Sequence, residues 1–229
     1  LRAIRFRWVT PPGALPGVGE ALRLTLVATA LNVFMPAKSG DLIKSYFVAT
    51  RSDTSAGVAL AIIVYERLCD LAALITWCLL GWLVGRPDVA GMPPAFWPLL
   101  ALLGGVCGVL VSSERVAVWV RAVVAAALPS GRLDKVRDLT SGWPDLLGLL
   151  RGRRRWIVSF SLLLWLSHLC QIWLFTLVLA AQIPFTVCAS LTAVALMAGQ
   201  LPLTISGIGT RDVALVVLLS HYMTPETAA

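Results

Sequence analysis

Between Arg155 and Arg211 the chain carries no Asp, Glu, Lys or Arg, an interval of 210 − 155 = 55 uncharged residues. About 20 apolar residues are enough for a helix to cross the hydrocarbon of a bilayer. Composition extends the point to the whole chain. Of the 229 residues, 58% are hydrophobic and 14% charged, where soluble domains carry about a quarter charged residues. The expected fold is an all-α integral membrane protein, a polytopic helical bundle. The net charge of +7 then points to cytoplasmic loops facing anionic lipid rather than to nucleic acid. Cys69, Cys78, Cys107, Cys170 and Cys188 stand in apolar surroundings with no CxxC pair, as small hydrophobes do.

Along the chain, apolar runs alternate with basic segments. Residues 1–13 hold Arg2, Arg5 and Arg7 and then Pro11, Pro12 and Gly13, and read as a basic, broken segment at a membrane surface. Short runs come next over Leu24–Ala37 and Leu42–Thr50. Ala56–Gly85 is long enough to cross but carries Glu66, Arg67 and Asp70. Residues 95–111 contain Gly104 and Gly108, one GxxxG packing signal. Trp156–Ala181 is the cleanest spanning run, with His168 inside it as a polar packing residue. Val116–Leu128 suits an amphipathic surface helix. Trp8, Trp97, Trp143 and Trp156 suit an aromatic belt.

Charge sets the expected topology. If residues 20–50 enter the membrane and return, residues 1–13, 51–55 and 113–155 share one side. The 113–155 segment is strongly basic, whereas the opposite loop, 86–94, has only Arg86. A full crossing at 16–37 would scatter the basic loops over both sides, against the positive-inside rule. Loops 1–13 and 113–155 are therefore expected in the cytoplasm, with the chain multi-pass in the plasma membrane.

Two broken segments match each other. The first runs Phe34-Met35-Pro36, Ser39-Gly40-Asp41 and Lys44; the second runs Gln200-Leu201-Pro202, Ser206-Gly207 and Arg211-Asp212. Pro ends a helix, and Ser or Asp caps the next one. Paired interruptions of this kind point to a transporter-like site and are read here as two Pro/Gly-broken re-entrant segments. Helices starting at Asp41 and near Gly207–Thr210 aim N–H groups toward the loops before them. Lys38, Lys44 and Arg211 add positive charge, and Gly40, Gly207 and Gly209 allow close backbone approach. Together these suit a lipid phosphate, with the two loops meeting around it. Glu66, Arg67 and Asp70 admit two roles: partners of Lys44 or Arg211 in that site, or a structural ion cluster.

The stretches Asn32–Lys44, Glu66-Arg67-Leu68-Cys69-Asp70 and Leu201–Asp212 resemble, in order, three hallmarks of the flippase-like family. This is the transmembrane region of lysylphosphatidylglycerol synthases, or multiple peptide resistance factors, and of their stand-alone relatives. Lys44 and Asp212 stand where the family often has Arg and Glu; Lys loses the bidentate grip of Arg on phosphate. The resemblance implies a single flippase-like transmembrane domain over 1–229 with N-terminal helices missing, as the start at Leu1 also suggests. The soluble aminoacyl-transfer domain of full synthases is absent from this sequence, so lysyl transfer is not expected of it. The implied substrate-binding set is Asn32, Lys38, Gly40, Asp41, Lys44, Glu66, Arg67, Asp70, Gly207, Gly209, Arg211 and Asp212, with no catalytic residue, cofactor or metal.

The function expected is binding and translocation of a phospholipid or polyprenyl-phosphate head group. The alternatives are a non-transporting module that docks a lipid- or glycan-synthesising enzyme, and a transferase by family name alone. A homo-oligomer or such an enzyme is the expected protein partner.

Overall fold

The computed structural model describes residues 1–34, 40–51, 54–87, 93, 95–113, 142–179, 181–200, 209–220 and 222. Among them the structure is helical, with no strand. The helices are α1 (Arg2–Val9), α2 (Val18–Phe34), α3 (Asp41–Arg51), α4 (Ala56–Gly85), α5 (Phe96–Ser112), α6 (Arg154–Val178), α7 (Phe185–Ala198) and α8 (Thr210–Leu219). Residues 142–149 are also helical. Pro36, Pro202, Val116–Leu128 and most of the 113–155 segment lie outside the described residues.

Among the described residues many large apolar side chains are exposed while several charged ones are buried, as suits a helical membrane protein. Phe34, Leu83, Val84, Leu102, Phe175 and Val178 are exposed, whereas Arg5, Asp41, Lys44, Glu66 and Asp70 are buried. Apolar side chains at the surface cost nothing against lipid tails. The 25-residue α6 is long and apolar enough to cross a membrane. At 1.5 Å per residue it reaches about 37 Å, beyond the roughly 30 Å hydrocarbon core.

The chain divides into two compact units. The first comprises Leu1–Asn32, Ser39–Cys69 and Val106–Phe160. Its core gathers Phe6, Leu15, Leu24, Val48, Ile62, Leu146 and Ile157. Two segments differ here from the sequence expectation. Residues 1–13 are not broken throughout: α1 is a formed helix whose Ala3, Phe6 and Val9 recur every three residues and enter the core. Burying that stripe holds so short a helix in place where propensity alone would not. The break comes only at Thr10, whose hydroxyl donates to the Phe6 carbonyl at 2.6 Å. The 113–155 segment likewise includes helical residues, and Leu146, Leu147 and Leu150 are buried.

Arg154 ties this part of the first unit together. Its guanidinium donates to the Leu147 carbonyl, from Nε at 3.1 Å, and to the Ser112 carbonyl, from Nη1 at 2.8 Å. Both carbonyls stand in the last turns of helices, where no intrahelical donor reaches them. Arg154→Met is expected to cost about 1–2 kcal/mol, the loss of charge-assisted bonds to partly exposed acceptors. Thermal unfolding of the detergent-solubilised protein checks it, and an unchanged melting temperature would rule it out.

The second unit comprises Val33–Lys38, Asp70–Gly105 and Ser161–Ala229. Here Gly81 and Gly85, a GxxxG pair on α4, let α7 come close. A Cβ at Gly81 would lie 2.5 Å from the Thr186 carbonyl oxygen, and one at Gly85 would lie 2.8 Å from the Thr186 hydroxyl. Ser190 Oγ donates to the Cys78 carbonyl at 3.0 Å across the same contact. Small residues and a hydroxyl bond replace the hydrophobic effect that lipid does not supply. Of the glycines in α5, a Cβ at Gly104 would lie 2.7 Å from Ile75 Cγ2, while one at Gly105 or Gly108 would meet nothing within 4 Å among the described residues. Tryptophans fasten helices rather than only forming a belt: Trp77 Nε1 donates to Leu162 O at 3.0 Å, and Trp82 stacks on Trp97 at 4.7 Å. His168 meets the Trp165 ring edge-on at 5.7 Å.

Candidate functional site

Helix α3 starts at Asp41 and turns its charged side inward. Asp41, Lys44 and Val48 are its buried residues, spaced as one helical face, while Leu42 and Tyr46 are exposed. Asp41 sits in the first turn, where a carboxylate complements the positive end of the helix dipole. Its approach to α2 depends on Gly40. A Cβ there would lie 2.6 Å from the Ala28 carbonyl oxygen and 2.8 Å from Asn32 Oδ1. Asn32 Oδ1 itself is buried and, among the described residues, has no hydrogen-bond partner.

Lys44 is only 7% exposed and is held between two carboxylates. Its Nζ lies 3.1 Å from Glu66 Oε2 and 3.2 Å from Asp41 Oδ1. The Phe6 ring stands 5.1 Å from the same ammonium. Glu66 comes from α4, and its other oxygen lies 3.6 Å from Arg5 Nε on α1. Arg67 pairs with the second oxygen of Asp41. Three helices thus bring Arg5, Asp41, Lys44, Glu66 and Arg67 into one network within the first unit. A buried ion pair recovers its desolvation cost only through several good contacts, and this chain of pairs provides them. Arg67 is the most accessible member, its side chain 37% exposed.

The second unit holds the remaining site residues among those described. Asp70, also buried, accepts from Trp165 Nε1 at 2.9 Å. Arg211 and Asp212 pair with each other at 2.7 Å and are both partly exposed. The Asp212 carboxylate accepts the Gly209 N–H at 3.5 Å, closing the first turn of α8. Gly209 has φ +95°, a conformation that L side chains avoid, although a Cβ there would meet nothing within 4 Å among the described residues. Gly209→Ala is therefore expected to cost about 1–2 kcal/mol through backbone strain alone. Equilibrium unfolding against Gly105→Ala, a glycine with equally open surroundings in α5, tests this: equal effects would contradict it. Gly199 lies beneath Arg211, whose Cβ would be 2.9 Å from a Cβ at Gly199.

Of the residues expected in the site, Asp41, Lys44, Glu66 and Arg67 are brought together, with Asn32 and Gly40 at the α2–α3 contact. Asp70 is held by Trp165, and Gly209, Arg211 and Asp212 form the start of α8. Lys38 and Gly207 lie outside the described residues. Arg5, Phe6, Trp165 and Gly199 are additions. The three-residue apolar step of α1 foreshadows its inward face; nothing local marks Arg5 as the partner of Glu66. Among the described residues, no group of three His, Cys, Asp or Glu side chains is placed to hold a metal ion.

A family model described as the lysylphosphatidylglycerol synthase TM region matches residues 1–229. A UPF0104 membrane protein of Methanocaldococcus jannaschii is 20% identical over 222 residues, covering 90% of this chain. The chain spans 66% of that relative's length. No solved structure matches.

Proposed function

The chain belongs to the lysylphosphatidylglycerol synthase transmembrane-region family, and from that premise we propose that it binds a lipid-phosphate head group and carries it across the bilayer. The observation that carries this is Lys44, a lysine buried between Asp41 and Glu66 in a helix whose outer face is apolar. A charge at membrane depth is expensive and is kept where it does work on a substrate. The chemistry is an exchange of partners. An incoming phosphate takes the place of one carboxylate at Lys44, and Arg67, accessible from outside the network, meets it first. Arg211, in the N-terminal turn of α8, offers a second cation at the positive end of that helix dipole. Anionic phospholipid and polyprenyl phosphate share the recognised group.

On this reading residues 1–229 form one polytopic domain in the plasma membrane, with segments 1–13 and 113–155 cytoplasmic and the two Pro/Gly breaks re-entrant. Binding of fluorescent phosphatidylglycerol to the detergent-solubilised protein tests the site. Lys44→Gln is expected to weaken binding about tenfold or more, as the loss of one charge-assisted contact predicts. Unchanged affinity in a folded Lys44→Gln protein would remove Lys44 from the site.

A further inference from the structure

A cleft of about 580 Å³ in the first unit is lined by Arg7, Trp8, Arg153, Trp156 and Ile157. We propose that it is a separate binding site for one anionic membrane phospholipid, its phosphate between Arg7 and Arg153 and its glycerol and upper acyl chains against Trp8 and Trp156. The volume falls in the range of small-molecule sites. The cleft lies at the N-terminal end of α6, the helix long and apolar enough to cross a membrane, so its depth is that of the bilayer surface. Tryptophan prefers that depth because its ring is apolar and its N–H is polar. Trp156 is 73% exposed, whereas Ile157 is fully buried and forms the floor. Trp8 is braced edge-on against Phe160 at 5.0 Å.

The two arginines are the reason for an anionic ligand. Among the described residues neither Arg7 nor Arg153 is in an ion pair. Their neighbours are committed elsewhere: Arg5, two residues before Arg7 on α1, faces Glu66, and Arg154 caps Leu147 and Ser112. The Arg153 backbone is fixed by its N–H bond to Leu150 O at 2.8 Å. Two guanidiniums lining one cleft beside two indoles offer donors to a phosphate and an apolar bed to the glycerol and acyl chains attached to it. A nucleic acid or a free anion would have no use for the apolar bed.

Native mass spectrometry of the full chain, loaded with phosphatidylglycerol or phosphatidylcholine, tests the site. Wild type is expected to retain one phosphatidylglycerol that R7Q/R153Q loses, with affinity for it falling about thirtyfold at five- to sixfold per arginine. R7K/R153K keeps the charge and is expected to keep most of the binding, which separates loss of the site from loss of the fold. Phosphatidylcholine and inorganic phosphate are not expected to displace that lipid. Retention unchanged in R7Q/R153Q overturns the proposal, and so does displacement by inorganic phosphate, which would make the ligand a free anion. The site does not rest on translocation. If wild type moves no lipid yet R7Q/R153Q still loses its phosphatidylglycerol, the carrier reading fails and this site stands.

Discussion

Glu66→Gln is expected to destabilise the protein by about 3 kcal/mol, the low end for removing one member of a buried ion pair. The carboxylate meets Lys44 Nζ at 3.1 Å and Arg5 Nε at 3.6 Å, and all three side chains are buried. Without its charge, Lys44 keeps Asp41 at 3.2 Å, which is why the loss falls at the low end. Combining Glu66→Gln with Lys44→Met removes the cation as well as the anion. The pair is expected to show a coupling of about 1–3 kcal/mol, so the double variant loses less than the sum of the singles. Equilibrium unfolding in mixed micelles measures the cycle. Additive losses would mean that Lys44 and Glu66 do not stabilise each other.

Gly40→Ala is the second large effect, about 1–3 kcal/mol from overpacking. The added methyl would lie 2.6 Å from Ala28 O and 2.9 Å from Asn32 N, both backbone atoms of α2 that no rotamer change can move. Relief requires α3 to shift, and Asp41 and Lys44 shift with it. Stability and phosphatidylglycerol affinity are therefore expected to fall together. In Gly209→Ala the strain is confined to one φ angle. A Gly40→Ala protein as stable as wild type would show that α2 and α3 have room to separate.

Much of the helix layout is legible because lipid makes its demands locally. α4 coincides with the apolar stretch Ala56–Gly85, and α6 lies within three residues of Trp156–Ala181 at each end. α3 begins at Asp41, where the capping residue predicts a helix start. The features that are not legible depend on facing and on distance along the chain. A GxxxG spacing does not say what lies opposite: Gly81–Gly85 and Gly104–Gly108 both carry it, yet only the first pair makes the close α4–α7 contact. α1 is obscured by its arginines, since three cations in eight residues hide a narrow apolar stripe. Lys44 with Glu66 is one of several pairings open to four charged residues. Only the packing of α3 against α4 selects it, and only the fold of α1 adds Arg5 to it.

On the proposed function the chain moves a lipid-phosphate head group through a site built on Lys44. The most direct test of this claim is reconstitution in liposomes with fluorescent phosphatidylglycerol and aminoacylated phosphatidylglycerol, scoring transbilayer movement by dithionite quenching. Wild type is expected to expose inner-leaflet lipid to the quencher, and Lys44→Gln and Arg211→Gln to slow that movement at least tenfold while remaining folded. If folded wild-type protein moves neither lipid, the claim is contradicted and a module that docks a lipid-synthesising enzyme becomes the better description.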